Sequence, residues 1–365
     1  MPVSKPLNIQ PKRILVITQR YLGDTLLITP LLSSLKQAYP EASLDVLIPQ
    51  ANLGILEGNP DIQQFWCFPA KGDFFGFCKL CWSLLRRYDL AISLQASDRT
   101  TLYAILAGKL SMGFIEHLPG KAWWKSLLLS RSLIYADPPT HTVLENLRFC
   151  ELLAIQPIYQ LTAPYTAQKL PSIPASPYVV LHIMPQWRFK QWHRQGWQEL
   201  IEFLHQQQYE IVLTSSTQSA ELNVLAELVA QYPYLINLGG QLSLAELAQL
   251  IAKADLFIGP DTGITHLAAA TNSFTIAIFG PTDPKLWAPW PSGYACKTPP
   301  FNSQGTQRVN NVLLVQGESA QNCVPCQGEG CDRHRQSHSA CLDQLSANSI
   351  ISLIAASLPS ANKIT

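Results

Sequence analysis

Short apolar runs alternate with helical patterns along most of this chain, and the alternation stops once and then restarts. Runs that are apolar throughout read as strands buried on both faces, the mark of a mostly parallel sheet covered by helices. Arg13 to Thr18 is the first strand, with Tyr21-Leu22-Gly23-Asp24 as the turn after it. A helix from about Thr25 to Tyr39 buries Leu26, Leu27, Leu31, Leu32 and Leu35, and Pro30 within it predicts a kink or a frayed first turn. Leu44 to Ile48 completes a right-handed βαβ unit. Strands at Phe65 to Phe68 and Leu90 to Leu94 follow, with helices at Phe74 to Arg87 and Thr100 to Ala107. Met112-Gly113-Phe114 begins another strand, and a longer helix runs from His141 to Ile155.

Between residues 156 and 177 the pattern breaks. Pro157, Pro164, Pro171, Pro174 and Pro177 make this stretch extended and helix-poor, as an interdomain linker is. The alternation resumes with the strand Tyr178 to His182 and a helix at about Gly196 to Gln206. Strand Glu210 to Leu213, helix Ala220 to Gln231, strand Leu235 to Leu238 and helix Leu244 to Ala252 come next, then strands Asp255 to Ile258 and Thr275 to Phe279. The expectation is an α/β protein of two facing Rossmann-like domains with a cleft between them, ligands sitting at the carboxyl ends of the strands. The domains span 1–160 and 178–345, joined by the Pro-rich linker 161–177 and followed by a helix (about Ser346 to Leu358) and tail over 346–365.

Bulk properties agree with two domains in 365 residues. A formal net charge of +1 gives no electrostatic case for nucleic acid as a partner. The opening MPVSKPLNIQPKR has no apolar signal core, and no run of about 18 apolar residues occurs, so a cytoplasmic location is the default expectation. Cys67, Cys78, Cys81, Cys150 and Cys296 are scattered and read as reduced packing residues.

The stretch GPDTGITHLAAA, Gly259 to Ala270, carries the first chemistry. A strand, a Gly-containing turn and a helix N-terminus together make an anion site, because the first helical amides lack intrahelical acceptors and the helix dipole is positive there. Gly263 has no side chain to hold a phosphate away from the backbone. Thr262 and Gly263 are therefore the expected diphosphate cradle, with His266 on the same helical face as Thr262.

Five collinear stretches resemble one family. ILVITQRYLGDTLLITPLLSSLKQAYPEASLDVLIP looks like the N-terminal signature of glycosyltransferase family 9, the heptosyltransferases of lipopolysaccharide core synthesis. His141 to Asn146 is similar to that family's His- and Glu-bearing helix, and Phe189-Lys190-Gln191-Trp192 to its Lys-x-Trp segment. GPDTGITHLAAA and FGPTDPKLWAP resemble its two strongest motifs. The resemblance implies a GT-B fold, with a nucleotide diphosphate sugar, ADP-heptose, held by the C-terminal domain and a lipid-linked saccharide acceptor held by the N-terminal one. It implies an inverting transferase that requires no cofactor and no catalytic metal. Asp24 becomes the expected base, with Gly23 and Thr25 beside it on the acceptor side; an ordinary helix N-cap is the alternative for Asp24. Lys190 becomes the cation for the diphosphate, where a surface lysine is the alternative. Asp261 would repel a phosphate, so the resemblance turns it towards sugar hydroxyls, and Gly280 and Thr282 of the GPTDP turn close over the nucleotide. His266 is either a ligand contact or a packed helix histidine, and Trp287 and Trp290 either shape the donor pocket or fill the core. One departure is His182-Ile183-Met184-Pro185-Gln186-Trp187, where the family carries a small-residue turn; Pro185 offers no N–H and Trp187 is bulky.

Two features stand apart. Cys323, Cys326, Cys331 and Cys341 are spaced so that a structural zinc is one reading, against reduced thiols or a labile disulfide. Lys121-Ala122-Trp123-Trp124-Lys125, with Leu127 to Leu129 and Arg131, is a basic aromatic patch that suits peripheral contact with the inner face of the plasma membrane, or else ordinary helix packing. A nucleotide-sugar epimerase and a non-catalytic glycan- or nucleotide-binding homologue are the alternatives to a transferase.

Overall fold

The computed structural model describes residues 9–116, 123–168, 170, 174 and 177–357. Lys121 and Ala122, Pro171 and other parts of the Pro-rich stretch, and the tail from Leu358 lie outside the described residues. The chain divides into two compact units, one of residues 1–164 and 295–298, the other of 165–294 and 299–365.

The first unit holds strands β1 (Arg13–Ile17), β2 (Ser43–Ile48), β3 (Gln64–Cys67), β4 (Tyr88–Ser93), β5 (Gly108–Ile115) and β6 (Arg131–Ile134). Its helices are α1 (Leu22–Leu26), α2 (Thr29–Ala38), α3 (Phe74–Leu84), α4 (Asp98–Ala107), α5 (Trp123–Leu128) and α6 (Thr142–Leu153). The six strands are parallel in the order β3-β2-β1-β4-β5-β6, the Rossmann order, whose direction reverses between β1 and β4. Pro30 acts as expected: a proline ring clashes with the carbonyl four residues back, here that of Leu26, so the helix breaks before it. The Leu26 carbonyl instead accepts a hydrogen bond from Thr29 Oγ1 at 2.9 Å, and α2 starts afresh with Pro30 in its first turn.

The second unit holds β7 (Tyr178–His182), β8 (Glu210–Thr214), β9 (Ile236–Asn237), β10 (Leu256–Pro260), β11 (Thr275–Phe279), β12 (Gln307–Val309) and β13 (Val312–Gln316). Around them lie α7 (Arg194–Gln206), α8 (Ser219–Gln231), α9 (Leu244–Ala252), α10 (Gly263–Ala270), α11 (Pro284–Trp287), α12 (Ala340–Asp343) and α13 (Ala347–Ser357). The sheet order is β12-β13-β11-β10-β7-β8-β9, parallel except for β12, and it reverses between β7 and β10. Each unit taken by itself is thus Rossmann-like. The core of the second unit joins Val179, Leu181, Ile258 and Ile276 of the sheet to Trp192, Trp197 and Leu342.

Candidate active site

Asp24 lies in the first turn of α1, the helix that follows the carboxyl end of β1. It is not an N-cap; that position belongs to Tyr21, whose side chain makes no capping bond. The Asp24 carboxylate is largely buried and sits 3.6 Å from the Arg20 guanidinium. Neighbouring strand ends hold this turn in place. Asn52 Nδ2, from the 3-10 turn after β2, donates to Thr25 Oγ1 at 2.7 Å and to the Arg20 carbonyl at 2.9 Å. Gln95, beyond β4, donates to Thr18 Oγ1 at 2.8 Å and accepts from the Gln19 amide at 2.7 Å. Thr25 is fully buried with its hydroxyl also given to the Tyr21 carbonyl, so it braces the turn from behind; Gly23 is buried beside it. Asn52 and Gln95 escaped the sequence reading, although both follow apolar strands at the ends where ligands gather.

In the second unit the reversal point lies between β7 and β10, and each strand delivers one charged residue from its carboxyl end. Lys190 stands in the 3-10 turn Arg188–Lys190 after β7, and Asp261 directly follows β10. Lys190 Nζ meets Asp261 Oδ2 at 2.7 Å, with Asp261 buried. Thr262 is the N-cap of α10, its hydroxyl accepting from the Thr265 amide at 3.4 Å; Asp261 is therefore free of capping duty. Thr262 and Gly263 are half-buried at the mouth of that helix. Behind them His266 is buried, with no hydrogen-bond partner for Nδ1 among the described residues. Burial pushes its imidazole down to about 4; the Asp261 carboxylate pulls it up and the Lys190 ammonium pushes it further down, so the ring is neutral near pH 7.

A long-range brace fixes Lys190. Trp192 is fully buried and donates from Nε1 to the Leu345 carbonyl at 2.8 Å, while Ser339 Oγ donates to the Phe189 carbonyl at 2.6 Å. His193 caps α7 by accepting from the Gly196 amide at 2.9 Å, and its other ring nitrogen lies 2.8 Å from the Leu345 carbonyl. A Cβ at Gly196 would come within 2.4 Å of the Trp192 ring, so only glycine lets that indole stay. The unusual Met184-to-Trp187 turn is held by the same segment of chain, with the Arg335 guanidinium 4.4 Å from the Trp187 ring centroid.

The GPTDP turn divides its labour. Gly280 is buried against Leu342, which a Cβ would approach to 2.7 Å; close packing there accounts for the glycine. Asp283 caps α11, and Thr282 is half-buried at the turn. Trp290 is fully buried and packs edge-on against Tyr294, which makes it a core residue and not a pocket wall; Trp287 is half-buried.

Residues 77–312 match the sequence profile of glycosyltransferase family 9 (heptosyltransferase). The chain belongs to this family. It is 31% identical to lipopolysaccharide heptosyltransferase 3 of Escherichia coli (strain K12), over 74% of this chain and 83% of that protein. In fold it is similar to a glycosyltransferase family 9 structure from Veillonella parvula, with a TM-score of 0.74 and 15% identity over 97% of this chain and 99% of that one. It is also similar to the E. coli heptosyltransferase WaaC solved with ADP-2-deoxy-2-fluoro heptose, with a TM-score of 0.68 and 20% identity over 95% and 100% of the two chains. This family 9 chain is a glycosyltransferase, and the epimerase and non-catalytic readings fall away.

Two features outside the strand ends had alternative readings. Among the described residues no group of three or more His, Cys, Asp or Glu side chains is placed to hold a metal ion, so the zinc reading of Cys323, Cys326, Cys331 and Cys341 has no ligand set behind it. All four thiols are free; Cys323 turns to Ser319 Oγ at 3.1 Å, and burial pushes the Cys341 thiol up to about 12. In the basic patch Lys125 is buried, paired with Asp98 at 2.7 Å, and so presents no charge to a membrane.

Proposed function

We propose that this chain moves a heptose or closely similar sugar from ADP-heptose to a lipid-linked saccharide of the lipopolysaccharide core type, with inversion at the anomeric carbon. The observation that carries this reading is the Lys190–Asp261 pair at the reversal point of the second sheet, beside the N-terminus of α10. A cation, open helical amides and a buried carboxylate suit the three parts of such a donor. The residues around 178–345 hold it, those around 1–160 hold the acceptor, and 161–177 join them.

In this mechanism Asp24 takes the proton from the acceptor hydroxyl as its oxygen attacks the anomeric carbon. The bond from that carbon to the diphosphate breaks with its electron pair leaving on the diphosphate. Lys190 and the Thr262 and Gly263 amides receive the growing negative charge. As Lys190 turns to phosphate, the Asp261 carboxylate is released to accept hydrogen bonds from sugar hydroxyls, and neutral His266 and Thr282 border the nucleotide. The ADP-linked heptose bound by WaaC and the relation to lipopolysaccharide heptosyltransferase 3 of E. coli support the donor and acceptor classes. The test is Asp24→Asn, which keeps the side chain's shape and removes its basicity. Transfer should fall at least a thousandfold while ADP affinity, measured by calorimetric titration, changes less than threefold, in line with the size of general-base effects of about 10²–10⁴. A matching loss of ADP affinity would overturn the acceptor-side assignment.

A further inference from the structure

Strand ends from across the first sheet meet at the turn that carries Asp24. An aspartate carboxylate rotates freely about its last torsion, which is broad, so a partner must choose which oxygen faces a substrate. Arg20, just before α1, lies 3.6 Å from Asp24 Oδ1. That oxygen is buried, whereas the side chain as a whole keeps 11% of its surface exposed. The Arg20 main chain is fixed, its carbonyl accepting from Asn52 Nδ2 at 2.9 Å. Its side chain is 38% exposed and long, so holding it in one position needs a further tether.

Tyr135, the residue after β6, supplies that tether. Its ring stacks on buried Phe114 with centroids 4.7 Å apart and planes 13° apart, and Phe114 packs edge-on against Phe149 at 4.8 Å. The phenol oxygen accepts from the Ala96 amide, beyond β4, at 3.2 Å, and also from the Arg20 guanidinium. Burial pushes the Tyr135 hydroxyl up, and the Ala96 amide and the Arg20 charge pull it only part of the way back, so the phenol is neutral near pH 7. Strands β4 and β5 separate β6 from β1, so only the folded sheet brings Tyr135 to Arg20. We propose that Arg20, tethered by Tyr135, is the positioning residue for Asp24. By holding Oδ1 it leaves Oδ2 for the acceptor. The hydroxyl proton moves to Oδ2 as the acceptor oxygen bonds to the anomeric carbon and the diphosphate departs with the electron pair. This role rests on the reading of Asp24 as the base.

The experiment is steady-state transfer by the full chain from ADP-heptose to a delipidated, soluble core saccharide, with Asp24→Asn measured in parallel. Arg20→Met should lower kcat about tenfold and leave the KM of donor and acceptor within about twofold, as a misplaced reacting group does. Arg20→Lys should lose no more than about threefold, because it keeps a charge beside Oδ1. Tyr135→Phe keeps the ring stack, removes only the tethering oxygen and should lower kcat about threefold; added to Arg20→Met it should cost nothing further, since it acts through Arg20. The proposal is overturned if Arg20→Met and Tyr135→Phe keep the wild-type kcat while Asp24→Asn is inactive, a result that leaves Asp24 as the base. It is equally overturned if Arg20→Met raises the acceptor KM at unchanged kcat, which would assign Arg20 to binding. An active Asp24→Asn would remove the base, and the positioning role with it.

Discussion

The Lys190–Asp261 pair joins residues 71 positions apart, each of which reads alone as an ordinary turn residue. Removing one partner leaves the other charge in a poorly solvated place, so Lys190→Ala should cost about 3 kcal/mol in chemical denaturation. Lys190→Ala with Asp261→Asn should recover much of that, since no orphan charge remains; a double variant as unstable as the single one would show that packing, not charge, sets the cost. His266 gives a pH dependence of known sign. Its folded-state value of about 4 lies below the ordinary 6.5, so the unfolded chain binds the proton first. Its contribution is complete above about pH 6.5 and is lost as pH falls towards 4. Buried His182, also pushed to about 4 by burial, behaves alike. Unfolding near pH 5 should therefore take up about two protons through these groups, and His266→Gln should remove one of them from the slope of stability against pH. Asp24, Lys190 and Asp261 were marked in the sequence by the family resemblance; read alone, Asp24 was a helix N-cap and Lys190 a surface lysine. Their partners were not marked, because pairing is decided by which strands lie side by side.

At the scale of elements, the turn carrying Asp24 owes its shape to two residues from other strand ends. Asn52→Ala removes the donor to Thr25 and to the Arg20 carbonyl, at a cost of about 1–2 kcal/mol for the groups left unsatisfied. If Asp24 is the base, kcat should drop about tenfold through misplacement while KM for the donor holds, because the proposed donor site lies in the second unit. A raised donor KM with unchanged kcat would place Asn52 in the wrong half of the enzyme. Central strands were readable because they are apolar throughout, as in Tyr178 to His182. Arg131–Ile134 was not, being an edge strand that is half-buried at every position. The β5 strand was entered late because exposed Lys109 interrupts its apolar run. The β12–β13 hairpin was missed although Asn310, at φ +47°, is a residue type that tolerates such a turn.

The whole molecule consists of two units with separate cores, and two such cores need not melt together. Scanning calorimetry should resolve two transitions. ADP, and not UDP or GDP, at a hundred times its dissociation constant should stabilise only the unit containing Lys190, by about 2.7 kcal/mol. Equal shifts of both transitions would argue against a donor site confined to that unit. No helix among the described residues is long and apolar enough to cross a membrane.

The brace behind Lys190 also sets an order of assembly. Phe189 and Trp192, at the start of the second unit, are tied to Ser339 and Leu345, 150 and 153 positions later. A ribosome must therefore synthesise nearly the entire second unit before the turn that carries Lys190 can be locked. Until then Trp192, one of the largest side chains in that core, lacks the carbonyl that accepts its indole N–H. If the proposed donor site at Lys190 is right, the nascent chain cannot hold its sugar donor for most of its synthesis.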